Sequence, residues 1–165
     1  MKRTSIVILI SVLLTVALSA GEGITESQEE GLLYMLEEEK LARDVYTVLG
    51  ENWNIRVFSN IASSEEEHRS RVQYLADKYR LDYTILPPGD FVDPDLQSLY
   101  DQLTAQGLSS LTQAFEVGKA IEVLDIQDLD AMIAQDFPED IEVVLKALRR
   151  GSENHLAAFE RQLNR

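Results

Sequence analysis

The nitrogen and sulfur ligands available to this chain are few: two histidines, His68 and His155, and no cysteine. Disulfides and thiolate metal sites are excluded. Any metal must be held by imidazole and carboxylate groups, a donor set that suits iron, manganese or zinc. Glu65 precedes His68 by three residues, a spacing that puts both heads on one face of a helix. Taken alone, Glu-x-x-His is common on solvated helices, and the surrounding "SSEEEHRSRV" reads first as a charged surface. Its phase relative to nearby apolar residues decides whether it points inward.

Past residue 22 the pattern is helical almost throughout. Ser27 with Glu30 fits a capping box, and the first helix is predicted to about Leu49, closed by Gly50. A second runs from about Ile55 to Tyr79. "LDYTILPPGDFVD" cannot be helical through Pro87, Pro88 and Gly89. Asp93-Pro94 starts a short helix to about Gln106, stopped by Gly107. Ser109 or Ser110 caps a third long helix to about Gln135, and the fourth runs from near Pro138 to about Leu163. The fold class is therefore all-α, a four-helix bundle. Short links make antiparallel pairs of the first and second, and of the third and fourth, long helices. The long second-to-third crossover, with its short extra helix, carries the chain from one end to the other, which is the ferritin-like arrangement.

A bundle helix buries residues spaced alternately three and four apart. On the first helix that seam reads Leu32, Met35, Glu39, Ala42, Tyr46, Leu49; on the second, Phe58, Ile61, Glu65, His68, Val72, Leu75, Tyr79. The third gives Leu111, Phe115, Gly118, Glu122, Asp125, Leu129, Met132, and the fourth Ile141, Leu145, Leu148, Ser152, His155, Phe159, Leu163. Each seam is apolar at its ends and polar near its middle, and both histidines fall on polar positions. Carboxylates buried together repel and cannot all stay ionised, and a metal cation resolves that conflict. Glu38 also borders an apolar face, through Leu41, Ala42 and Val45. Gly118 and Gly151, each costing about 1 kcal/mol in a helix against Ala, suggest close helix approach beside the polar positions. Trp53 reads as a core plug, and Leu81 to Gly107 as the segment suited to a lid or a partner contact.

Composition narrows the setting. The formal charge is −14, which repels nucleic acid and anionic lipid. Lys2 and Arg3, the apolar run Ile6 to Leu18 and the small residues Ser19, Ala20 and Gly21 form the three-part pattern of a secretory leader. The chain is thus divided into a signal peptide at 1–20, a linker at 21–27 and a helix-bundle domain at 28–165. Export to a periplasmic, extracellular or cell-envelope location follows, with no membrane contact after cleavage. An uncleaved N-terminal anchor is the alternative.

The segment "EKLARDVY", Glu39 to Tyr46, resembles the E-x-x-A-R-x-x-Y segment of rubrerythrin-type helices. "EEEH", Glu65 to His68, is similar to the Glu-x-x-His of their second helix, and "GKAIEVLDIQDL", Gly118 to Leu129, to their third. "EEEKLARDVY", "FSNIASSEEEH" and "GSENHLAAF" together also resemble a family of exported ferritin-like domains of unassigned function. The resemblance spans about Glu30 to Leu163. It implies that Glu39, Glu65, His68, Glu122 and His155 are metal ligands, with Arg43 and Tyr46 supporting them from behind. In one respect the chain departs from the pattern: its fourth helix offers Ser152-x-x-His155 where a second Glu-x-x-His is expected. Asp125, one turn after Glu122, is the alternative carboxylate.

The expected function is that of an exported metal-binding protein whose iron site is dinuclear or degenerate, acting as an oxidoreductase on dioxygen or peroxide. Manganese and zinc are the alternative metals, and no organic cofactor is expected. The resemblance allows a homodimer. The alternative function is a non-enzymatic cell-envelope interaction or stress module. There Glu39, Arg43, His68, Ser152 and His155 form a hydrogen-bonded network without a functional metal centre.

Overall fold

The structure is a computed structural model that describes residues 23–165. The leader expected at 1–20 and the start of the expected linker lie outside the described residues. Five helices follow in order: α1 (Glu26–Trp53), α2 (Arg56–Tyr79), α3 (Pro94–Ser109), α4 (Leu111–Ile133) and α5 (Glu139–Leu163). The described residues contain no strand, and no helix among them is long and apolar enough to cross a membrane.

The ends of the helices are set by local chemistry, and several differ from expectation. The capping box of α1 pairs Thr25 with Gln28 rather than Ser27 with Glu30. Gln28 is buried, and its amide donates to Asp136 O at 3.0 Å across the molecule. Gly50 does not end α1. The helix continues one further turn to Asn54, which takes the left-handed conformation at φ 53° and donates its N–H to Gly50 O. Asn tolerates that region better than most side chains. Trp53 consequently belongs to the helix and is half-buried, and its indole N–H donates to Gly107 O at 3.0 Å. In turn α3 runs past Gly107 to Ser109. Its N-terminus is fixed by Asp93, whose carboxylate accepts from Asp95 N and Leu96 N, with Pro94 in the first turn.

Contacts between distant residues give the helix directions. Tyr46 meets Glu122 while Gln28 reaches Asp136, so α1 and α4 run antiparallel. Lys78 bonds Asp140 while Ser64 meets His155, so α2 and α5 also run antiparallel. The short links make α1/α2 and α4/α5 tightly packed pairs, and the crossover returns along the full length of the molecule. Helix α3 lies on α1 and α4. The crossover is tied down by buried charge. Lys40, fully buried, donates to Asp44 Oδ2 at 2.8 Å and Asp90 O at 2.9 Å and sits 4.1 Å over the Phe91 ring. Glu37 accepts from Val92 N and Asp93 N, both at 2.8 Å.

The core has two apolar parts. One joins Val45, Leu49, Phe58, Phe115 and Phe159; the other joins Leu32, Met35, Val72, Leu75, Leu129 and Leu145. Between them lies a buried polar layer of Glu39, Glu65, His68, Glu122, Asp125, Ser152 and His155. The predicted seams are buried along almost their full length, and only Tyr79, Leu111 and Leu163 at their ends stay half-exposed.

Candidate metal centre

Each of the four long helices sends side chains into the polar layer. Helix α1 supplies Glu39, α2 supplies Glu65 and His68, α4 supplies Glu122 and Asp125, and α5 supplies Ser152 and His155. Glu65 is the centre of the arrangement. Its Oε2 lies 2.8 Å from His68 Nδ1 and its Oε1 2.8 Å from His155 Nδ1. Glu39 Oε2 stands 3.4 Å from His68 Nδ1, and Glu122 Oε2 3.5 Å from His155 Nδ1. The two imidazoles are stacked at 5.5 Å between centroids. Among the described residues, two groups of three place one ligand atom each within 4.8 Å of the others: Glu39, Glu65, His68 and Glu65, Glu122, His155. Both groups share Glu65.

Short distances here do not amount to hydrogen bonds. His68 Nδ1, His155 Nδ1, Glu65 Oε2, Glu39 Oε1 and Asp125 Oδ1 are all buried and have no hydrogen-bond partner. The nitrogens face the carboxylate oxygens without the N–H···O alignment a hydrogen bond needs. A buried unsatisfied polar atom costs about 1–3 kcal/mol, and native proteins tolerate only a few per hundred residues. Five in one layer, all nitrogen or carboxylate oxygen and four of them on residues of the two three-residue groups, fit a bound cation.

Electrostatics agree. Burial, reinforced by Asp125, drives Glu39 well above the usual carboxylate range. Burial and Glu65 push Glu122 up to about 8, and burial raises Asp125 to about 7 against the pull of Ser152. Burial opposes charge on the imidazoles. Glu39 and Glu65 nevertheless lift His68 to about 10, and Glu122 and Glu65 lift His155 to about 10. Glu65 is desolvated too, but the two histidines hold it at about 2. The layer is short of positive charge.

Supporting groups orient this layer. Tyr46, fully buried, donates to Glu122 Oε1 at 2.6 Å. Ser152 donates to Asp125 Oδ2, and Asp125 Oδ1 is buried without a partner, but Asp125 belongs to neither of the two three-residue groups. Arg43 does not serve the layer: its guanidinium bonds Asp44 Oδ1 and Glu66 Oε2, an ion-pair role near the surface. The sequence reading missed Ser64, whose hydroxyl lies 3.0 Å from His155 Nε2. That contact occupies Nε2 and leaves Nδ1 for a ligand role. No periodicity could reveal it, because Ser64 sits one position off the α2 seam. The glycines behave as their positions suggest. A Cβ on Gly151 would lie 2.5 Å from His68 Cε1 and Nε2, and one on Gly118 would lie 2.6 Å from the Phe159 ring.

Comparison with known proteins places the chain. Residues 28–165 match the family described as "Uncharacterized protein domain (DUF2202)". The chain belongs to this family. It is 44% identical over 143 residues to the uncharacterized protein MJ0754 of Methanocaldococcus jannaschii, covering 86% of this chain and 77% of that one. The crystal structure of hypothetical protein MJ0754 is similar with a TM-score of 0.84, over 86% of this chain and 82% of that chain. For the DUF2202 domain, the functional reading therefore rests on the site itself.

Proposed function

We propose that the DUF2202 domain of this protein is a ferritin-like bundle that holds a carboxylate- and histidine-ligated metal centre, with iron as the metal and Glu65 as the shared ligand. The observation that carries this reading is Glu65 itself, each of whose oxygens lies 2.8 Å from a different imidazole Nδ1. Such a carboxylate serves two metal positions. One is completed by Glu39 and His68, the other by Glu122 and His155. Asp125, one turn from Glu122, adds a further free oxygen. The helix directions and the long crossover support the ferritin-like assignment. Manganese and zinc fit the same donors, and the leader pattern in the sequence supports export.

Bound iron would supply electron exchange with dioxygen or peroxide. The chain's own contribution is to hold the donors before the metal arrives. Tyr46 fixes one oxygen of Glu122, Ser64 engages Nε2 of His155, and Ser152 fixes Asp125. Apolar clusters above and below the layer exclude water, which strengthens every charge interaction inside it.

One observation favours the second reading, a non-enzymatic envelope module. Ser152 stands where a fourth-helix carboxylate is expected, and it is hydrogen-bonded within the layer. Elemental analysis of protein prepared with iron available separates the two. Stoichiometric metal, lost in a Glu65→Ala, His68→Ala variant, supports the metal centre. No stoichiometric metal, with a melting temperature indifferent to chelator and added metal, supports the module instead. A ligand at 100 times its Kd adds about 2.7 kcal/mol to stability, well within reach of a thermal melt.

A further inference from the structure

Glu38 is buried to 4% exposure on α1, and its Oε2 has no hydrogen-bond partner. It belongs to neither three-residue group of the metal layer. Instead it lines a separate cavity of about 130 Å³ between α1, α3 and α4. Glu38, Leu41 and Ile121 are its buried walls, and Leu99, Leu103 and Leu124 are half-buried around them. Ala120 is exposed at the edge, so the cavity opens to the surface there. Helical spacing accounts for the shape. Glu38 and Leu41 share one face of α1, Leu99 and Leu103 one face of α3, and Ile121 and Leu124 one face of α4. Three such faces meet, and a carboxyl stands where an apolar side chain would ordinarily close the gap. Glu38 is the one polar residue lining this cavity.

A buried oxygen without a partner is costly unless something in the working protein bonds to it. Water answers poorly, because a buried water needs about two to four polar partners and this cavity offers one polar residue. A plain hydrocarbon suits the leucines but leaves Oε2 unsatisfied. An ammonium brings a charge and several donors into apolar surroundings with a single carboxyl to meet them. A hydroxyl meets every constraint. It donates to a carboxylate and accepts from a carboxylic acid, so the match holds in either protonation state of Glu38. We infer that the cavity between α1, α3 and α4 is a binding site for a small neutral molecule with an apolar body and one hydroxyl group, a cyclic alcohol or a phenol, held through Glu38 Oε2. The size agrees, since an apolar cavity of about 150 Å³ admits benzene. Glu38 precedes Glu39 and Ile121 precedes Glu122, so this site lies beside the metal layer, but it needs no metal to bind its ligand.

Phenol, benzene and butylammonium are the probes, each titrated into the protein with chelator present so that phenol cannot act as a metal ligand. Binding is read from backbone amide NMR shifts. Phenol is expected to saturate, to shift the amides of Leu41, Leu103 and Ile121, and to bind about tenfold tighter than benzene. Glu38→Leu exchanges the carboxyl for a hydrocarbon of similar size, which a buried site tolerates, and is expected to abolish that preference. Phenol that does not saturate, or that shifts only amides away from the cavity, overturns the site. Equal affinity for phenol and benzene in the parent overturns the hydroxyl class, and this comparison decides the matter by itself if Glu38→Leu does not fold. A preference for phenol that survives in a folded Glu38→Leu protein overturns the role of Glu38. Butylammonium bound more tightly than phenol overturns the neutral ligand in favour of a cation. None of these readings depends on metal stoichiometry, so the cavity site and the proposed metal centre stand or fall separately.

Discussion

Gly151→Ala tests how tightly the second helix pair is fitted to the site. The added Cβ would stand 2.5 Å from His68 Cε1 and Nε2. Ordinary carbon contact is about 3.5 Å, so the imidazole must retreat by roughly 1 Å. It retreats toward Glu65 and Glu39, whose oxygens already lie 2.8 and 3.4 Å from Nδ1. Overpacking of this kind costs about 1–3 kcal/mol, and replacing a helical glycine with alanine returns about 1 kcal/mol. The metal-free protein should therefore lose about 1 kcal/mol, or roughly 2–4 °C in melting temperature for a chain of this size. The metal-loaded protein should lose more. Ligand distances must hold to about 0.2 Å, and disturbed supporting groups weaken binding about 10–100-fold. Thermal melts with and without metal, beside a calorimetric metal titration, give both quantities. A variant that is more stable than the parent by about 1 kcal/mol, with undiminished metal affinity, would refute the packing argument and place His68 away from the ligand set.

Three further outcomes are expected. Tyr46→Phe removes the 2.6 Å donor to Glu122; metal affinity should fall about 10–100-fold while helicity is kept, read by metal titration and circular dichroism. Lys40→Met leaves Asp44 with Arg43 and the Gly89 N–H but without its buried ammonium partner. Chemical denaturation should show a loss of about 3–5 kcal/mol with metal stoichiometry intact. The third concerns pH. Glu122 and Asp125 are raised to about 8 and 7, so the metal-free fold holds protons the unfolded chain releases, and stability falls as pH rises through those values. His68 and His155, raised to about 10, contribute stability that is full below about 6.5 and lost as pH rises through about 10. Glu65 acts in the opposite sense, its contribution vanishing as pH falls toward about 2. Metal-free protein should thus melt highest in mild acid, and the increment from added metal should grow toward alkaline pH, since binding displaces those protons. A metal-free melting temperature that rises from about pH 5 to pH 9 contradicts this electrostatic reading.

Helical phase was enough to bring the metal-ligand candidates together on paper. Glu39, Glu65, His68, Glu122, Asp125 and His155 each occupy a three-four seam whose neighbours are apolar, and burial follows from that phase alone. Gly118 and Gly151 were legible for the same reason, as gaps one turn or less from those positions. The helix ends were less so. Asn54, not Gly50, closes α1, because a glycine inside a helix and a glycine ending one look alike until the next turn packs. The capping pair shifted to Thr25 and Gln28, since Gln28 also reaches Asp136 across the molecule.

Contacts between helices were not in the sequence at all. Periodicity assigns Glu65 to a face, but only the packing of α1, α4 and α5 around α2 gives each of its oxygens a different histidine. The same applies to Ser64 against His155, Ser152 against Asp125, and Arg43 turned to Asp44 and Glu66. Lys40 reads as a surface lysine in any one-dimensional pattern; it is buried because the crossover folds over it and supplies Asp90 O and the Phe91 ring. By itself the sequence determined which residues turn inward, because that depends on a 3.6-residue repeat within one helix. Tertiary structure decided which of them meet, because that depends on the register and direction of helices joined by links whose length, not composition, sets the approach.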